Sequence, residues 1–194
     1  MTTIVTTSSA RYATMFADQG ITGDYIHPDM GKIIQQGTWL IGVSGDSRVC
    51  DVLQYGVKYP KPPPSIVDKP IEGWYGFIVT KVIPVIVKAT SEQLPKSDAN
   101  TLGDSDLLLV THGKAFFIGA SLGLIKATPY WAIGSGEGLA LGVLSTHGAN
   151  GDWVTAHKHF AMEAMAAAKK HDPYTRGAIT GWVSYPTGRV AKAQ

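Results

Sequence analysis

The order in which periodicity changes along the chain constrains its fold most. Residues 2–8 read Thr-Thr-Ile-Val-Thr-Thr-Ser, a nearly unbroken β-branched run that favours a strand. Residues 10–17 supply a returning strand that leads to Asp18, a turn follows at 20–23, and two further short strands flank Gln36-Gly37 at 32–34 and 38–43. From 46 to 55 the period changes. Val49, Val52, Leu53 and Gly56 recur at helical spacing, with Ser44 or Asp46 as the candidate cap. Tyr59-Pro-Lys-Pro-Pro-Pro stops that helix, because proline brings no amide donor, and is expected to form a rigid surface connector. A second, strongly apolar helix is expected over 74–88, with a kink or early end at Pro84. After a polar loop at 91–105 come three strands at 106–110, 115–119 and 121–126, the first two joined by a turn at His112-Gly113. A short edge strand at 131–134 precedes two helices, 136–144 and 153–170. A last strand at 178–185 and a polar tail at 188–194 close the chain.

Strand blocks and helix blocks therefore alternate in groups, not singly. That argues for an α+β protein of stacked layers, with helix pairs covering antiparallel sheets, and against a parallel βαβ sheet. At 194 residues, 44% apolar and 16% charged, the chain fits one domain with a sizeable core.

Composition excludes several functions. The net charge is +2 and the 17 basic residues are scattered, with no run beyond Lys169-Lys170, so no nucleic-acid-binding stripe is expected. No stretch of 18 apolar residues offers a membrane span. The N-terminus lacks a signal peptide's basic and apolar regions, and the single cysteine, Cys50, has no internal disulfide partner; a cytoplasmic location is expected. Cys50 reads as a packing residue on an apolar helix face. The histidines show no metal-ligand spacing, since His157 and His159 lie two apart on a helix and face different directions. No phosphate-binding loop is present, so no nucleotide chemistry is expected of the chain itself.

The residues that suggest chemistry begin at Thr2. A threonine hydroxyl needs a base to become a nucleophile, and an α-amine on the same residue has an ordinary pKa of about 7.7–8.0, which suits that task near neutral pH. Thr2 acquires such an amine once Met1 is removed. Asp18 follows a strand in Phe-Ala-Asp-Gln-Gly-Ile-Thr-Gly-Asp. Lys32 follows a glycine and precedes apolar residues. In Ile-Gly-Val-Ser-Gly-Asp, residues 41–46, glycines stand at a strand-to-helix junction where a backbone N–H can face a developing oxyanion. A lysine near the threonine lowers the pKa of its amine and hydroxyl, and a carboxylate holds that lysine in place.

The start Thr-Thr-Ile-Val, the Ala-Asp-x-Gly-x-Thr segment at 17–22, the lysine that follows, the junction at 40–53 and Ala-Ile-Gly-Ser-Gly-Glu-Gly-Leu-Ala-Leu-Gly-Val-Leu at 132–144 together resemble the proteasome β-subunit family, in particular its bacterial HslV branch. The resemblance is strongest at 2–5, 17–23 and 132–144 and thin between 56 and 104. It implies a four-layer αββα sandwich, the N-terminal-nucleophile hydrolase fold. It also implies roles: Thr2 as nucleophile, Asp18 as carboxylate, Lys32 as paired lysine, the Gly45 N–H as oxyanion donor, and Ser135, Asp172 and Thr175 as the group supporting the terminal amine. Thr175 stands where the family usually has serine. Gly45-Asp46-Ser47-Arg48 is charged where the family has small residues, and the 18–32 loop, with His27-Pro28, is two residues shorter than expected.

The implied activity is threonine-type peptidase cleavage of unfolded or peptide-like chains, without a cofactor. It would take place inside a homo-oligomeric ring fed by an ATP-dependent unfoldase, with Trp74, Tyr75 and Phe77 on an exposed packing surface. Two rival readings keep the fold and change the use: a small-molecule amidase or acylase, or a non-catalytic structural or assembly component.

Overall fold

The computed structural model describes residues 2–20, 31–94, 102–149 and 157–193. Most of the turn expected at 20–23, the middle of the loop expected at 91–105 and the first residues of the helix expected from 153 lie outside the described residues.

Among the described residues, ten strands form two antiparallel five-stranded sheets. The first sheet has the order β10 (Val190–Lys192), β9 (Ile179–Ser184), β2 (Ala13–Asp18), β1 (Thr3–Ser8), β8 (Tyr130–Gly134). The second runs β3 (Ile33–Gln36), β4 (Trp39–Ser44), β5 (Asp106–Thr111), β6 (Lys114–Ile118), β7 (Leu124–Lys126).

Strand alternation distributes the apolar side chains into three core layers. Between the sheets lie Ile4, Met15, Ile33, Leu40, Leu108, Val110 and Ile133. On the far side of the first sheet, Val5, Phe16 and Ala132 pack with Leu144, Phe160 and Met165 of α5 (Glu137–Ala149) and α6 (His157–His171). On the far side of the second, Trp39, Ile41, Leu107, Leu109 and Phe116 pack with Val49, Leu53, Ile78 and Ile86. Those last four come from α1 (Ser47–Asp51), the π-helical turn that extends it, and the helical run 71–93. Helix pair, sheet, sheet, helix pair is the expected αββα sandwich. Because both faces of each sheet are covered, β1, β2 and β4 are buried along their whole length, and up to their polar last residues, Ser8, Asp18 and Ser44, their sequences run apolar or β-branched.

Threonines fill much of β1, and their buried hydroxyls are satisfied locally. Thr6 Oγ1 donates to the Thr14 carbonyl at 2.6 Å, and the Thr7 and Thr14 hydroxyls meet at 2.6 Å.

Several local expectations are corrected. Trp74 is fully buried and belongs to the core over the second sheet, not to an exposed packing surface. Its ring lies 5.4 Å from that of His112, with Lys114 Nζ 5.3 Å from its centroid. The helix expected over 74–88 neither ends nor breaks at Pro84. It runs as a 3₁₀ turn (Ile71–Trp74), α3 (Tyr75–Phe77), a π-helical turn (Ile78–Val82) and α4 (Ile83–Gln93). Proline cannot donate to the carbonyl four residues back, and the wider π turn falls where the regular ladder would be interrupted.

The proline-rich connector, by contrast, is pinned, in keeping with the rigid connector expected there. Tyr59 N–H donates to Gln36 Oε1 at 2.7 Å, Trp39 Nε1 donates to the Pro60 carbonyl at 3.0 Å, and Pro64 opens a short helix, α2 (Pro64–Val67). The polar tail contains β10, paired to β9 through Val190↔Ser184. Asp46, not Ser44, caps α1, accepting from Arg48 N.

Candidate active site

The register of the two sheets assembles the site. Ile4 pairs with Ala17, which sets Asp18 at the end of β2 level with Thr3. Thr3 pairs with Gly134 of β8, which brings Ser135 alongside Thr2. Ile33 pairs with Gly42, so Lys32, just before β3, lies at the same end of the second sheet as Gly45, just after β4. Asp172 follows α6 directly, and Thr175 and Arg176 lie in the turn leading to β9.

Asp18 is the hub, with no exposed surface. Its Oδ1 accepts from the Thr2 hydroxyl at 2.6 Å, from Thr3 N–H at 2.9 Å and from Lys32 Nζ at 2.9 Å. Its Oδ2 accepts from Lys32 Nζ at 3.0 Å, Gly20 N–H at 2.9 Å and Arg176 N–H at 3.1 Å. A carboxylate so surrounded by donors is held in one orientation, with both oxygens satisfied. The Lys32 pKa is lowered from the ordinary lysine value by burial, against the opposing pull of Asp18.

The second carboxylate, Asp172, sits beyond the other end of Thr2. Its Oδ2 accepts from Ser135 Oγ at 2.6 Å and from Thr175 Oγ1 at 2.6 Å, and its Oδ1 from Tyr174 N–H at 3.2 Å. Burial works to raise its pKa, but these hydrogen bonds outweigh that and hold the group below the usual carboxylate range. Ser135 also ties back to Thr2: its N–H donates to the Thr2 carbonyl at 2.8 Å and its hydroxyl contacts the same oxygen at 3.4 Å. The structure thus brings Thr2, Asp18 and Lys32 into one hydrogen-bonded group and Ser135, Asp172 and Thr175 into another, with Thr2 touching both.

Gly45 stands apart from these bonds, at the turn from β4 into α1. Its φ is +119°, and a Cβ there would meet Ser105 Oγ at 2.5 Å and the Asp104 carbonyl at 2.7 Å. Only glycine satisfies both the conformation and the space. Ser105, fully buried, fixes the turn further by accepting from Asp46 N–H at 3.1 Å. The charged residues after Gly45 pair with each other, Arg48 Nη2 to Asp46 Oδ2 at 2.7 Å, on the exposed side of α1.

Three contributors have no clear signature in the sequence. Arg176 acts through its backbone N–H, Thr3 reads as one more strand residue, and Ser105 lies far along the chain in a polar loop. Cys50 packs partly buried against the outer core, and burial pushes its thiol up to about 11, which fits packing and not nucleophilic chemistry. Among the described residues no cluster of histidine, cysteine or carboxylate side chains has the makings of a metal site, and no helix is long and apolar enough to cross a membrane.

Neither a protein-family model nor a curated protein sequence matches the chain. Solved structures do. BPH of Thiobacillus denitrificans aligns over 95% of this chain and 98% of its own at 18% identity, with a TM-score of 0.71. The same protein in complex with epoxomicin aligns over 94% and 98% at 17% identity, with a TM-score of 0.73. Eukaryotic HslV from Trypanosoma brucei aligns over 94% and 99% at 17% identity, with a TM-score of 0.61. The chain has the proteasome-type N-terminal-nucleophile fold. Within that proteasome-type fold, Thr2 lies at the start of the strand that runs between β2 and β8, where the two sheets and the turn after α6 converge.

Proposed function

We propose that this protein is a threonine-type peptidase whose nucleophile is the Thr2 hydroxyl. The observation that carries the reading is the hydrogen bond of Thr2 Oγ1 to buried Asp18 at 2.6 Å, with Lys32 paired to the same carboxylate at 2.9 Å. As translated, Thr2 carries Met1 on its nitrogen. Loss of Met1 frees the α-amine as general base. The hydroxyl then attacks the substrate carbonyl while the amine takes its proton, directly or through a water. The Gly45 N–H stabilises the tetrahedral oxyanion, and water releases the ester intermediate.

Lys32 favours the ionised hydroxyl and lowers the pKa of the amine; Asp18 holds Lys32 in place. Ser135, Asp172 and Thr175 fix the amine end. By likeness of fold to HslV, the working form is a homo-oligomeric ring in the cytoplasm, fed with unfolded chains by an ATP-dependent unfoldase.

The test compares three proteins of verified intact mass on fluorogenic peptides: the Met1-free chain, the Met1-retaining chain and Met1-free Thr2→Ala. Only the first should turn over. Activity surviving in Thr2→Ala would remove the nucleophile. Cleavage confined to small acyl-amides would make the enzyme an amidase, and inactivity of the Met1-free chain on every substrate would leave a structural component.

A pH profile gives a second check. kcat/KM should be bell-shaped, rising through an amine pKa at or below the ordinary value of about 7.7–8.0 and falling as Lys32 loses its proton. Because burial lowers the Lys32 pKa, the alkaline limb should fall below 10.5. Lys32→Arg, which stays charged, should lose that limb; an unchanged limb would assign it to another group.

A further inference from the structure

Thr3 joins the two halves of the site. Its N–H donates to Asp18 Oδ1 at 2.9 Å, and its hydroxyl lies 2.6 Å from that of Thr175. Donor roles in that second contact follow from its neighbours. The Thr175 hydroxyl has one proton and gives it to Asp172 Oδ2 at 2.6 Å, so it accepts from Thr3. Thr3 Oγ1 in turn accepts from Gly136 N–H at 3.0 Å. The result is a one-way chain: Gly136 N–H to Thr3 O–H to Thr175 O–H to the Asp172 carboxylate. Thr3 is fully buried and Thr175 nearly so. In such surroundings each bond polarises the next, and a lost member leaves its neighbours without water to replace it.

We propose that Thr3 is a positioning residue for catalysis: through Thr175 its hydroxyl orients and partly neutralises Asp172, while its amide holds Asp18, so the amine and nucleophile ends of Thr2 stay in register. This rests on the threonine-peptidase reading. Thr3 touches neither substrate nor reacting atom. Its influence is electrostatic and reaches the α-amine through Asp172, whose negative charge raises the amine pKa when less of it is neutralised.

The experiment uses the Met1-free chain and the variants Thr3→Val, which keeps shape and removes the hydroxyl, and Thr3→Ser, which keeps the hydroxyl. Two readouts are taken: steady-state kinetics against pH, and titration of the Thr2 methyl carbon by NMR in threonine-labelled protein, which reports the amine pKa without turnover. Thr3→Val should lower kcat about tenfold at unchanged KM and move the acidic limb and the NMR titration together to higher pH. Thr3→Ser should behave as wild type in both. An amine titration unchanged in Thr3→Val overturns the proposal, as does a Thr3→Ser variant that fails like Thr3→Val. A wild-type chain without peptidase activity would sink the peptidase reading, while the NMR titration would still decide whether Thr3 sets the amine pKa.

Discussion

Asp18→Asn should abolish peptidase activity and destabilise the fold by about 3 kcal/mol or more in urea unfolding, the range found when one partner of a buried ion pair is removed. The size follows from the geometry. Asp18 has no exposed surface, and both its oxygens are crowded with donors: Thr2 Oγ1, Thr3 N–H and Lys32 on one, Gly20 N–H, Arg176 N–H and Lys32 on the other. An asparagine must place an NH₂ against one of these sets and leaves the Lys32 charge without its counter-ion. Lys32→Met should abolish activity equally but cost much less stability. The Lys32 side chain is 13% exposed on a flexible stem, and Asp18 would keep its backbone and hydroxyl donors. Equal loss of activity with unequal loss of stability separates the chemistry of the pair from its structural weight. Equal stability losses would place the structural weight on the ion pair itself and not on the other donors to Asp18.

How far the sequence discloses this protein depends on whether a feature is local or reciprocal. β1 was legible because Thr2 to Thr7 are β-branched residues in a row, and α6 because Ala161–Ala168 packs good helix formers together. The burial of Trp74 is not legible locally because its environment is set by spacing over a longer range: Trp74, Ile78, Val82 and Ile86, all buried, recur every four residues. A regular α-helix advances about 100° per residue, so each step of four overshoots a full turn by about 40° and the stripe would drift off one face. The π turn at Ile78–Val82 is wider and keeps the stripe facing the second sheet. That correction depends on what the helix packs against, which no window of residues contains.

α5 shows the same dependence. Gly138, Gly142 and Gly148 make it a poor helix in isolation, yet it continues to Ala149 because it packs against α6 and β8. β10 is hidden for the opposite reason: Val190–Lys192 is too short to carry a strand signal and becomes a strand only where β9 offers an edge.

The candidate site divides along the same line. The side chains of Thr2, Asp18 and Lys32 stand in segments that suggest their chemistry one at a time, whereas their meeting within 3.0 Å depends on strand register. Backbone donors such as Gly20 N–H and Arg176 N–H leave no trace in residue type at all. A hydroxyl such as that of Thr3 acquires meaning only from Gly136 and Thr175 on either side of it.

Register makes Gly134 a sensitive position of the fold. It ends β8 opposite Thr3 with φ at +97°, a conformation side chains rarely adopt. A Cβ there would stand 1.9 Å from the Thr2 carbonyl oxygen and 2.8 Å from its carbon. Both are backbone atoms, and that oxygen is anchored by Ser135 N–H at 2.8 Å, so neither can yield without loosening the β1–β8 pairing. Gly134→Ala should therefore cost about 3 kcal/mol or more in stability and, by displacing Thr2, remove activity in whatever fraction still folds. Gly138, four residues on, is the control. It lies in α5 with nothing within 4 Å of its Cβ position, so Gly138→Ala should stabilise by about 0.5–1 kcal/mol, since alanine is the better helix former and the unfolded chain has less freedom to lose. Opposite signs from the same substitution within one turn-and-helix segment would locate the strain at the Thr2 carbonyl. A loss below about 1 kcal/mol at Gly134 would mean that β8 has room to withdraw, and that the Thr2 backbone is held by something other than this contact.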